Sequence, residues 1–508
     1  MYSKINSMGL AGLDAFTVQV EIDLAKGLPR FDLVGLPDAA VKESRERVRA
    51  AIKNCDYKFP VSRIVVNIAP ANIKKEGPLY DLPIFMALLK AGEQLKANTD
   101  DYVFIGELSL DGSLRHIQGA LPMVIGAKEN GFKGVFVPKE NELECSVVDG
   151  IDVFAVSDVH QVIKHLNGEE VLEKAYRPEF AETVQEYPLD FSDVKGQFEV
   201  KRAMEIAAAG SHNIILIGSP GSGKSMLAKR LPSILPEMTF DESIETTKIH
   251  SVAGELPDNV PLIKQRPFRS PHHTVSSVGL AGGGASIKPG EISLAHNGVL
   301  FLDELPEFSR HSLETLRQPI EDGTITISRA SGSLTYPCSV MLVCAMNPCP
   351  CGFYGHPTKK CTCTDNAAKR YMSKISGPLL DRIDLHVEVQ PVDFSELSSD
   401  EKGESSAKIR ERVNAARAVQ SKRFEGMKIH SNAQMSSNDI RRFCIMTDDA
   451  KKILAASFER LDLSARAYDK ILRVARTIAD LDKSENIEMH HIAEAIQYRS
   501  LDRKYWNI

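Results

Sequence analysis

The stretch from Ile214 to Ser225 has the composition of a phosphate-binding loop, because an apolar run leads into glycines and then into MLAKRL, which has helical spacing. Glycines let the backbone curl so that N–H groups point at phosphate oxygens, and the helix presents its positive end to them. We expect Lys224 to reach the β- and γ-phosphates and Ser225 to bind Mg²⁺. The alternative is a glycine-rich turn without a ligand. The predicted loop contacts are Gly218, Ser219, Pro220, Gly221, Ser222, Gly223, Lys224 and Ser225.

A pair of acidic residues lies 79 residues after Lys224, where the apolar strand predicted over 299–302 ends in Asp303 and Glu304. A carboxylate at such a strand tip can hold Mg²⁺, and a second one can polarise the attacking water. We assign Asp303 to the metal and Glu304 to the general base. Two acids at a strand-to-loop exit are the simpler interpretation, but their pairing with the phosphate loop favours hydrolysis.

Three more polar residues follow in order. Asn347 ends the predicted strand VMLVCAMN, where it could position the hydrolytic water. Arg382 either pairs locally with Asp381 or Asp384, or reaches the γ-phosphate of a neighbouring subunit. Arg466 begins a strongly amphipathic helix, which could lower it onto the nucleotide as a lid.

Four of the nine cysteines lie within fifteen residues, as Cys349-x-Cys351 and Cys361-x-Cys363 separated by nine residues. Four thiolates are enough for a tetrahedral Zn²⁺ site, and His356 could replace one of them. The intervals are shorter than the commoner two-residue spacing, so four reduced, unliganded cysteines are the alternative. A disulfide framework is not expected in a reducing compartment.

A long insertion, roughly 250–296, lies between the phosphate-binding loop and the acidic pair Asp303-Glu304. It carries a local positive cluster. Together with the flexible GLAGGGASIKPG, this cluster predicts a nucleic-acid contact or a pore loop. A solvated charged loop is the alternative. The residues of the cluster are Lys264, Arg266, Arg269, His272 and His273.

The sequence GTITISRASGSLTYP predicts a hairpin, because two alternating β-like runs surround Ala330-Ser331-Gly332-Ser333. Arg329 lies near its tip and is our candidate for a contact with a nucleic-acid phosphate. The alternative is a hairpin packed on the core with Arg329 merely exposed.

These residues need an α/β framework, which the pattern along the chain predicts. Residues 1 to about 185 alternate short strands with amphipathic helices, 186–195 form a polar junction, and 396–408 form an acidic, Ser-rich linker. Helical patterns dominate from there to residue 508. We therefore predict an α/β domain over 1–185, an α/β nucleotide-binding core over 190–395, and a linker with a helical lid over 396–508.

The overall composition is ordinary for a globular protein, with 43% hydrophobic and 26% charged residues among 508. No apolar run approaches the ~20 residues of a membrane span, and the sequence shows no export signal, so a cytoplasmic location without membrane contact is expected. The formal charge of −6 argues against coating nucleic acid through bulk positive charge. Any DNA contact must therefore be local.

Two segments of the first domain resemble the proteolytic domain of Lon-type proteases, namely NIAPANIKKEGPLYDLP and the run from FIGELSLDG to KENELE. Where that family has its nucleophilic Ser, this chain has Leu79, and where it has the dyad Lys, this chain has Leu121 near Gly119. Acyl transfer needs both a nucleophile and its base. The resemblance therefore implies a retained scaffold without peptidase activity.

Across the whole chain, the motifs occur in the order of an AAA+ ATPase, and RPFRSPHHT, CAMNPCPCG and LLDRIDL resemble the magnesium-chelatase-like group known as the ComM or YifB family. The resemblance implies a hexameric ATPase that moves along DNA and promotes branch migration. It also makes Val194 and Gly196 candidate contacts of the adenine base, although a simple turn is the alternative. The rival functions are a protein-remodelling or chelatase-partner ATPase without a DNA substrate and, least favoured, a non-enzymatic adaptor.

Overall fold

The structure of the chain is a computed structural model. It describes residues 1–177, 187–257, 259–284, 287–329, 332–356, 358–392, 403–461, 464–499 and 501–506. Ala330 and Ser331 of the predicted hairpin tip and residues 396–402 of the predicted linker lie outside the described residues. The chain divides into two units. The first comprises Met1–Glu182 with Phe240–Ile263, and the second comprises Thr183–Thr239 with Lys264–Ile508.

The first unit is built on a mixed sheet of seven strands in the order β3-β4-β2-β1-β5-β8-β9. β1 pairs antiparallel with β2 and parallel with β5, and β5, β8 and β9 continue as parallel neighbours. β6 and β7 form a separate short pair. The bounds are β1 (Tyr2–Ala11), β2 (Asp14–Ala25), β3 (Arg30–Val34), β4 (Arg63–Ala69), β5 (Tyr102–Phe104), β6 (Glu107–Leu108), β7 (Leu114–Arg115), β8 (Gly134–Pro138) and β9 (Asp152–Val156).

Five helices of the first unit precede the second unit in the chain. α2 is buried along all of its length except Lys90, so it is a central helix rather than an amphipathic surface helix. Its first residue, Asp81, accepts two hydrogen bonds from Arg47 at 2.6 and 3.0 Å, which pairs the buried carboxylate. The bounds are α1 (Ala39–Asn54), α2 (Asp81–Ala91), α3 (Ala120–Glu129), α4 (Glu142–Ser146) and α5 (Val159–Asn167).

The second unit is built on a parallel sheet of five strands in the order β11-β14-β17-β10-β18. The three central strands are fully buried and rich in Val, Ile and Leu, as expected for a parallel sheet covered on both faces. The bounds are β10 (Ile214–Gly218), β11 (Phe268–Arg269), β12 (Gly282–Gly283), β13 (Lys288–Pro289), β14 (Val299–Leu302), β15 (Thr324–Arg329), β16 (Gly332–Pro337), β17 (Met341–Met346) and β18 (Leu385–Val389).

The helices from Phe198 onward belong to the second unit, except α8. None of the described helices is both long and apolar enough to cross a membrane. The bounds are α6 (Phe198–Gly210), α7 (Lys224–Arg230), α8 (Phe240–Ala253), α9 (Ser277–Ala281), α10 (Glu291–Leu294), α11 (Arg310–Thr315), α12 (Arg317–Asp322), α13 (Asp365–Met372), α14 (Gly377–Leu380), α15 (Ser406–Arg423), α16 (Ser437–Phe443), α17 (Asp448–Leu461), α18 (Ala465–Leu481), α19 (Met489–Gln497) and α20 (Leu501–Trp506).

The segment 240–263 belongs to the first unit, although the residues on both sides of it in the sequence belong to the second unit. α8 packs against α3, and the N–H of Gly119 donates to the carbonyl of Ser251 at 3.1 Å. The hydroxyl of Ser251 donates to the buried carboxylate of Glu144 at 2.5 Å. The sequence division placed these residues in the 190–395 domain, whereas their contacts place them in the first unit.

A buried polar cluster joins helix α18 to the sheet of the second unit. Asp384 precedes β18, and its carboxylate lies 3.2 Å from Nδ1 of His212 and 3.7 Å from Nζ of Lys470. Burial would raise the pKa of Asp384, but the hydrogen bond with His212 and the charge of Lys470 outweigh it and hold the pKa below its usual range. The helical region is therefore fixed to the strand edge by a paired, buried charge.

Candidate active site

The loop after β10 has the backbone that phosphate binding requires. Gly221 and Gly223 have φ of +77° and +93°, in the region that favours glycine. Nζ of Lys224 donates to the carbonyls of Gly218 and Ser219 at 2.8 and 2.9 Å. Burial lowers the pKa of Lys224, whereas the charge of Asp303 opposes that shift. The ammonium is thus held inside the loop, where the β- and γ-phosphates would lie.

The chemistry of this loop fits a nucleotide with Mg²⁺. The hydroxyl of Ser222 is buried and has no hydrogen-bond partner within the described residues, so a donor is left for a phosphate oxygen. The hydroxyl of Ser225 donates to Asp303 at 2.6 Å. Two hard oxygen ligands, one from the start of α7 and one from the end of β14, therefore lie together, as Mg²⁺ requires.

The ends of three neighbouring parallel strands bring the other predicted groups to the same edge. Asn347 follows β17, and its side-chain oxygen accepts a hydrogen bond from Nζ of Lys224 at 3.2 Å. Glu304 follows β14 with φ of +53°, and its N–H donates to Asp303 at 2.9 Å. Carboxyl ends of parallel strands are where such folds bind ligands.

Glu304 has a partner that the sequence did not indicate. Nδ1 of His273 lies 3.3 Å from a carboxylate oxygen of Glu304, and the Glu304 side chain is 60% exposed. His273 follows β11, the strand beside β14, so neighbouring strand ends explain the contact. The structure therefore places His273 next to the predicted general base, whereas the sequence assigned it to nucleic acid.

Arg382 is held by internal acceptors. Its Nε donates to the carbonyl of Arg317 at 2.9 Å, its Nη1 donates to the carbonyl of Pro378 at 2.7 Å, and its Nη2 pairs with Glu321. The side chain is 18% exposed. An ion pair therefore exists, as one alternative expected, but its acid is on α12 rather than beside Arg382 in the sequence.

Arg466 lies close to Arg382 in the chain's fold, because its Nη1 is 3.6 Å from the carboxylate of Asp381. The Arg466 side chain is 71% exposed. The start of α18, with Arg466, thus lies beside the segment that carries Arg382, while Lys224 belongs to the loop after β10.

Val194 and Gly196, the predicted contacts of the adenine base, lie in different surroundings in the structure. Val194 is 1% exposed and packs in the core, and its carbonyl accepts a hydrogen bond from Nζ of Lys201. Gly196 has φ of +61°, which makes the turn into α6. A contact of either residue with adenine stays a prediction.

The four clustered cysteines come together in space. The sulfur atoms of Cys349, Cys351 and Cys361 are 3.4 to 3.7 Å apart, and that of Cys363 lies within the same 4.8 Å group. A tetrahedral Zn²⁺ with Zn–S bonds of about 2.3 Å separates its sulfurs by about 3.8 Å. The arrangement fits a structural Zn²⁺ site.

His356 is not part of this group. Its Nδ1 accepts hydrogen bonds from the N–H groups of Thr358 and Lys359 at 3.2 and 3.0 Å. Burial would raise the pKa of Cys351, but hydrogen bonds from the backbone at Phe353 and Thr362 outweigh it and lower the pKa to about 5. A thiolate is the form that binds metal.

A second group of metal-binding side chains, Asp482, His490 and His491, has hydrogen bonds that disfavour a metal. Nδ1 of His491 accepts from the N–H of Glu488 at 2.9 Å. The proton of the neutral ring is then on Nε2, which lies 3.3 Å from Asp482. No lone pair of this ring is left for coordination.

The predicted nucleic-acid residues divide into two sets. Arg266 donates to the carbonyls of Pro236 and Asn297 at 2.6 and 2.7 Å, and Arg269 forms a two-point ion pair with Glu291 at 2.7 and 2.8 Å. His272 is exposed, Lys264 is half-buried, and Arg329 is exposed. Contact of any of them with DNA stays a prediction.

Three family descriptions match consecutive parts of the chain. Residues 20–141 match "Subunit ChlI of Mg-chelatase", residues 190–397 match "Magnesium chelatase, subunit ChlI", and residues 403–499 match "Magnesium chelatase, subunit ChlI C-terminal". The second match contains the phosphate loop, the two acids and the cysteine group.

Similar proteins match over nearly the full length. YifB of Escherichia coli is 44% identical over 503 residues, covering 99% of this chain and 97% of that protein. Competence protein ComM of Haemophilus influenzae is 43% identical over 510 residues, covering 98% and 97%. The chain belongs to the YifB/ComM family. The expected family and α/β fold class are thereby confirmed, and its magnesium-chelatase-like AAA core implies an ATPase that uses ATP and Mg²⁺.

The N-terminal region of this YifB/ComM protein is distantly similar to Lon protease, with 26% identity over 163 residues to the enzyme of Lachnoclostridium phytofermentans, covering 29% of this chain and 20% of that protein. Leu121 is fully buried, and Leu79 packs against the same apolar cluster. Apolar side chains thus fill the region where the resemblance places the protease's Ser and Lys.

The sequence analysis did not identify a pocket beside the predicted catalytic residues of this YifB/ComM chain. It is lined by side chains from the strand ends and from α13 with the turn after it. The lining positions 367, 370 and 371 on α13, with 374 in the turn after it, follow the spacing of one helix face, which was the available signal. The polar and aromatic lining residues are Glu304, Glu307, Asn347, Arg370, Tyr371 and Lys374.

Proposed function

We propose that this chain is an ATP-driven motor that works as a ring of six subunits on DNA and promotes branch migration. The observation that carries the proposal is the meeting of Lys224, Ser225, Asp303 and Asn347 at one sheet edge. Membership of the family that includes competence protein ComM supports DNA as the substrate.

Hydrolysis in this site follows from the positions of its own groups. Glu304 takes a proton from water, whose oxygen forms a bond to the γ-phosphorus while the bond to the bridging oxygen breaks, leaving ADP and phosphate. Lys224 and the N–H groups of the loop stabilise the negative charge on the phosphate oxygens. Ser225 and Asp303 would hold Mg²⁺, which would supply positive charge for the triphosphate.

We assign Arg382 and Arg466 to the boundary between subunits. Arg466 contacts Asp381, the residue before Arg382, and its side chain is largely exposed. An arginine supplied by a neighbour stabilises transition-state charge in related phosphoryl transfers. Each ATP would then be hydrolysed only between two subunits, which ties turnover to the ring.

The hairpin β15–β16 is our candidate DNA contact. Its exposed face carries hydroxyl pairs, with Thr326 and Thr335 at 2.9 Å and Ser328 and Ser333 at 2.9 Å. Side-chain hydroxyls and arginines are common donors to nucleic-acid phosphates. Arg329 ends the first strand beside Gly283, where an added Cβ would lie 3.0 Å from its guanidinium. Hydroxyls and one arginine can contact the phosphates of DNA of any base sequence.

The cysteine group is assigned a structural Zn²⁺ site. It begins two residues after Asn347, and an added Cβ at Gly352 would lie 2.3 Å from Pro220 of the phosphate loop. A metal at this place would fix the loop that carries Asn347 against the phosphate loop.

The experiment is ATP turnover with and without forked DNA. We expect DNA to stimulate turnover in the unchanged chain and Lys224→Ala to abolish it with the fold intact. DNA-independent turnover would favour the rival, a protein-remodelling or chelatase-partner ATPase, which the matched magnesium chelatase descriptions support. Turnover retained by Lys224→Ala would overturn the assigned site.

A further inference from the structure

The pocket beside the phosphate loop is lined by two cations, Arg370 and Lys374, that are not among the assigned catalytic residues. Asn347 lines the pocket and also accepts a hydrogen bond from Lys224 at 3.2 Å. The pocket therefore adjoins the phosphate loop. Glu304, the assigned base, lines it as well. The space therefore adjoins the place where the γ-phosphate would be attacked.

Two cations enter this pocket from α13 and the turn that follows. Lys374 is paired, because its Nζ lies 3.3 Å from the carboxylate of Glu307 and 5.5 Å from the centre of the Tyr371 ring. The guanidinium of Arg370 is exposed and has neither a hydrogen-bond nor an ion-pair partner in the part of the chain that the structure describes. Arg370 is thus the cation left for a ligand.

The fold holds this arginine in place from both ends of α13. Thr364 caps the helix by accepting a hydrogen bond from the N–H of Ala367 at 3.3 Å, and it directly follows Cys363 of the cysteine group. Ala368, Tyr371 and Met372 form the buried face of the helix. Arg370 therefore projects from an anchored helix, rather than from a free loop.

We propose that Arg370 is a further catalytic residue, which contacts the γ-phosphoryl group from within the same subunit. A guanidinium matches phosphate oxygens with paired N–H donors. Charge on the equatorial oxygens is present in the triphosphate and in the group in transit, but absent from ADP. Loss of Arg370 should therefore impair hydrolysis of ATP but not binding of ADP. This inference rests on the proposed ATPase function.

The test uses the full-length chain with Arg370→Ala, Arg370→Lys and the control Lys369→Ala. Lys369 is exposed on the same helix but does not line the pocket. The readouts are ATP turnover, the affinity of a fluorescent ADP analogue, and trapping of ADP with Mg²⁺ and aluminium fluoride, a mimic of the phosphoryl group. Thermal unfolding verifies that each variant is folded.

For Arg370→Ala we expect at least a tenfold loss of turnover and loss of trapping, with ADP affinity within twofold of the unchanged chain. Arg370→Lys should recover part of the trapping, and Lys369→Ala should match the unchanged chain. Unchanged turnover and trapping in Arg370→Ala would overturn the inference, as would loss of assembly alone with trapping retained. If the unchanged chain itself had no Lys224-dependent turnover, the proposed function would fail instead.

Discussion

At the scale of single residues, the site is assembled from strand ends that bring charged groups together. Lys224, Asp303 and Asn347 form one connected set, because the carboxyl ends of β10, β14 and β17 share an edge of the sheet. His273 joins this set through β11, the next strand. A contact with Glu304, the proposed general base, would give His273 a role that does not need DNA.

The first prediction concerns this histidine. The pair with Glu304 at 3.3 Å engages the carboxylate that must take the proton from water. Removing a partly exposed pair of about 0.5–1 kcal/mol should free that carboxylate and raise turnover without DNA about two- to fivefold in His273→Ala. His311→Ala, an exposed histidine on α11, is the control and should leave turnover unchanged.

Steady-state ATP hydrolysis and DNA affinity, measured side by side, distinguish the two roles of His273. An unchanged rate with weaker DNA binding would contradict the pairing role and favour the nucleic-acid assignment.

At the scale of elements, α18 is attached to the sheet through Asp384. The carboxylate is buried and contacts both His212 and Lys470, so its removal takes away the buried counter-charge of the Lys470 ammonium. An Asp–Lys pair on α17, Asp448 with Lys451 at 3.0 Å, is exposed and offers a matched comparison. Burial, rather than the short distance, should decide the energy.

We therefore predict that Asp384→Ala lowers the free energy of unfolding by about 3–5 kcal/mol, whereas Asp448→Ala lowers it by less than about 1 kcal/mol. Because the pKa of Asp384 is depressed in the folded chain, its stabilisation is present above the unfolded pKa of about 4 and is lost as the pH falls further. Urea unfolding at neutral and acidic pH provides the measurement, and equal losses for the two variants would contradict the account.

The cysteine group is a second element that can be tested separately. Cys351→Ser removes one of four ligands, so we predict loss of about one Zn²⁺ per chain, measured by metal analysis of the purified protein. His356→Ala should keep the metal, because Nδ1 of His356 is used by backbone N–H groups. A metal-free unchanged chain, or zinc retained in Cys351→Ser, would rule out the assignment.

Local patterns were sufficient to predict the glycine-rich turn between β10 and α7, the acids after β14 and the close approach of the four cysteines. They could not predict partners that depend on distant packing. Glu321 binds Arg382 across 61 residues, and α8 leaves the core to pack on α3. Nothing in the composition of 240–263 distinguishes it from the residues beside it, because its burial is decided by α3 and α4.

At the scale of the whole molecule, the proposal requires complete sites to form between subunits. In a mixture of Arg382→Ala and Glu304→Gln chains, each variant supplies the group that the other lacks. We predict that each alone is inactive and that an equal mixture regains about a quarter of its interfaces, since pairing is random. Turnover of the mixture is the readout. No recovery after verified co-assembly would contradict an arginine supplied by the neighbour.

The account as a whole depends on the conversion of ATP hydrolysis into movement of branched DNA. The most direct measurement is displacement of a labelled strand from a synthetic four-way junction by the purified chain, with Glu304→Gln as the matched control. We predict displacement that requires ATP and Mg²⁺ and is absent in Glu304→Gln. An unchanged chain that hydrolyses ATP rapidly in the presence of the junction but leaves every strand in place would contradict the proposed function.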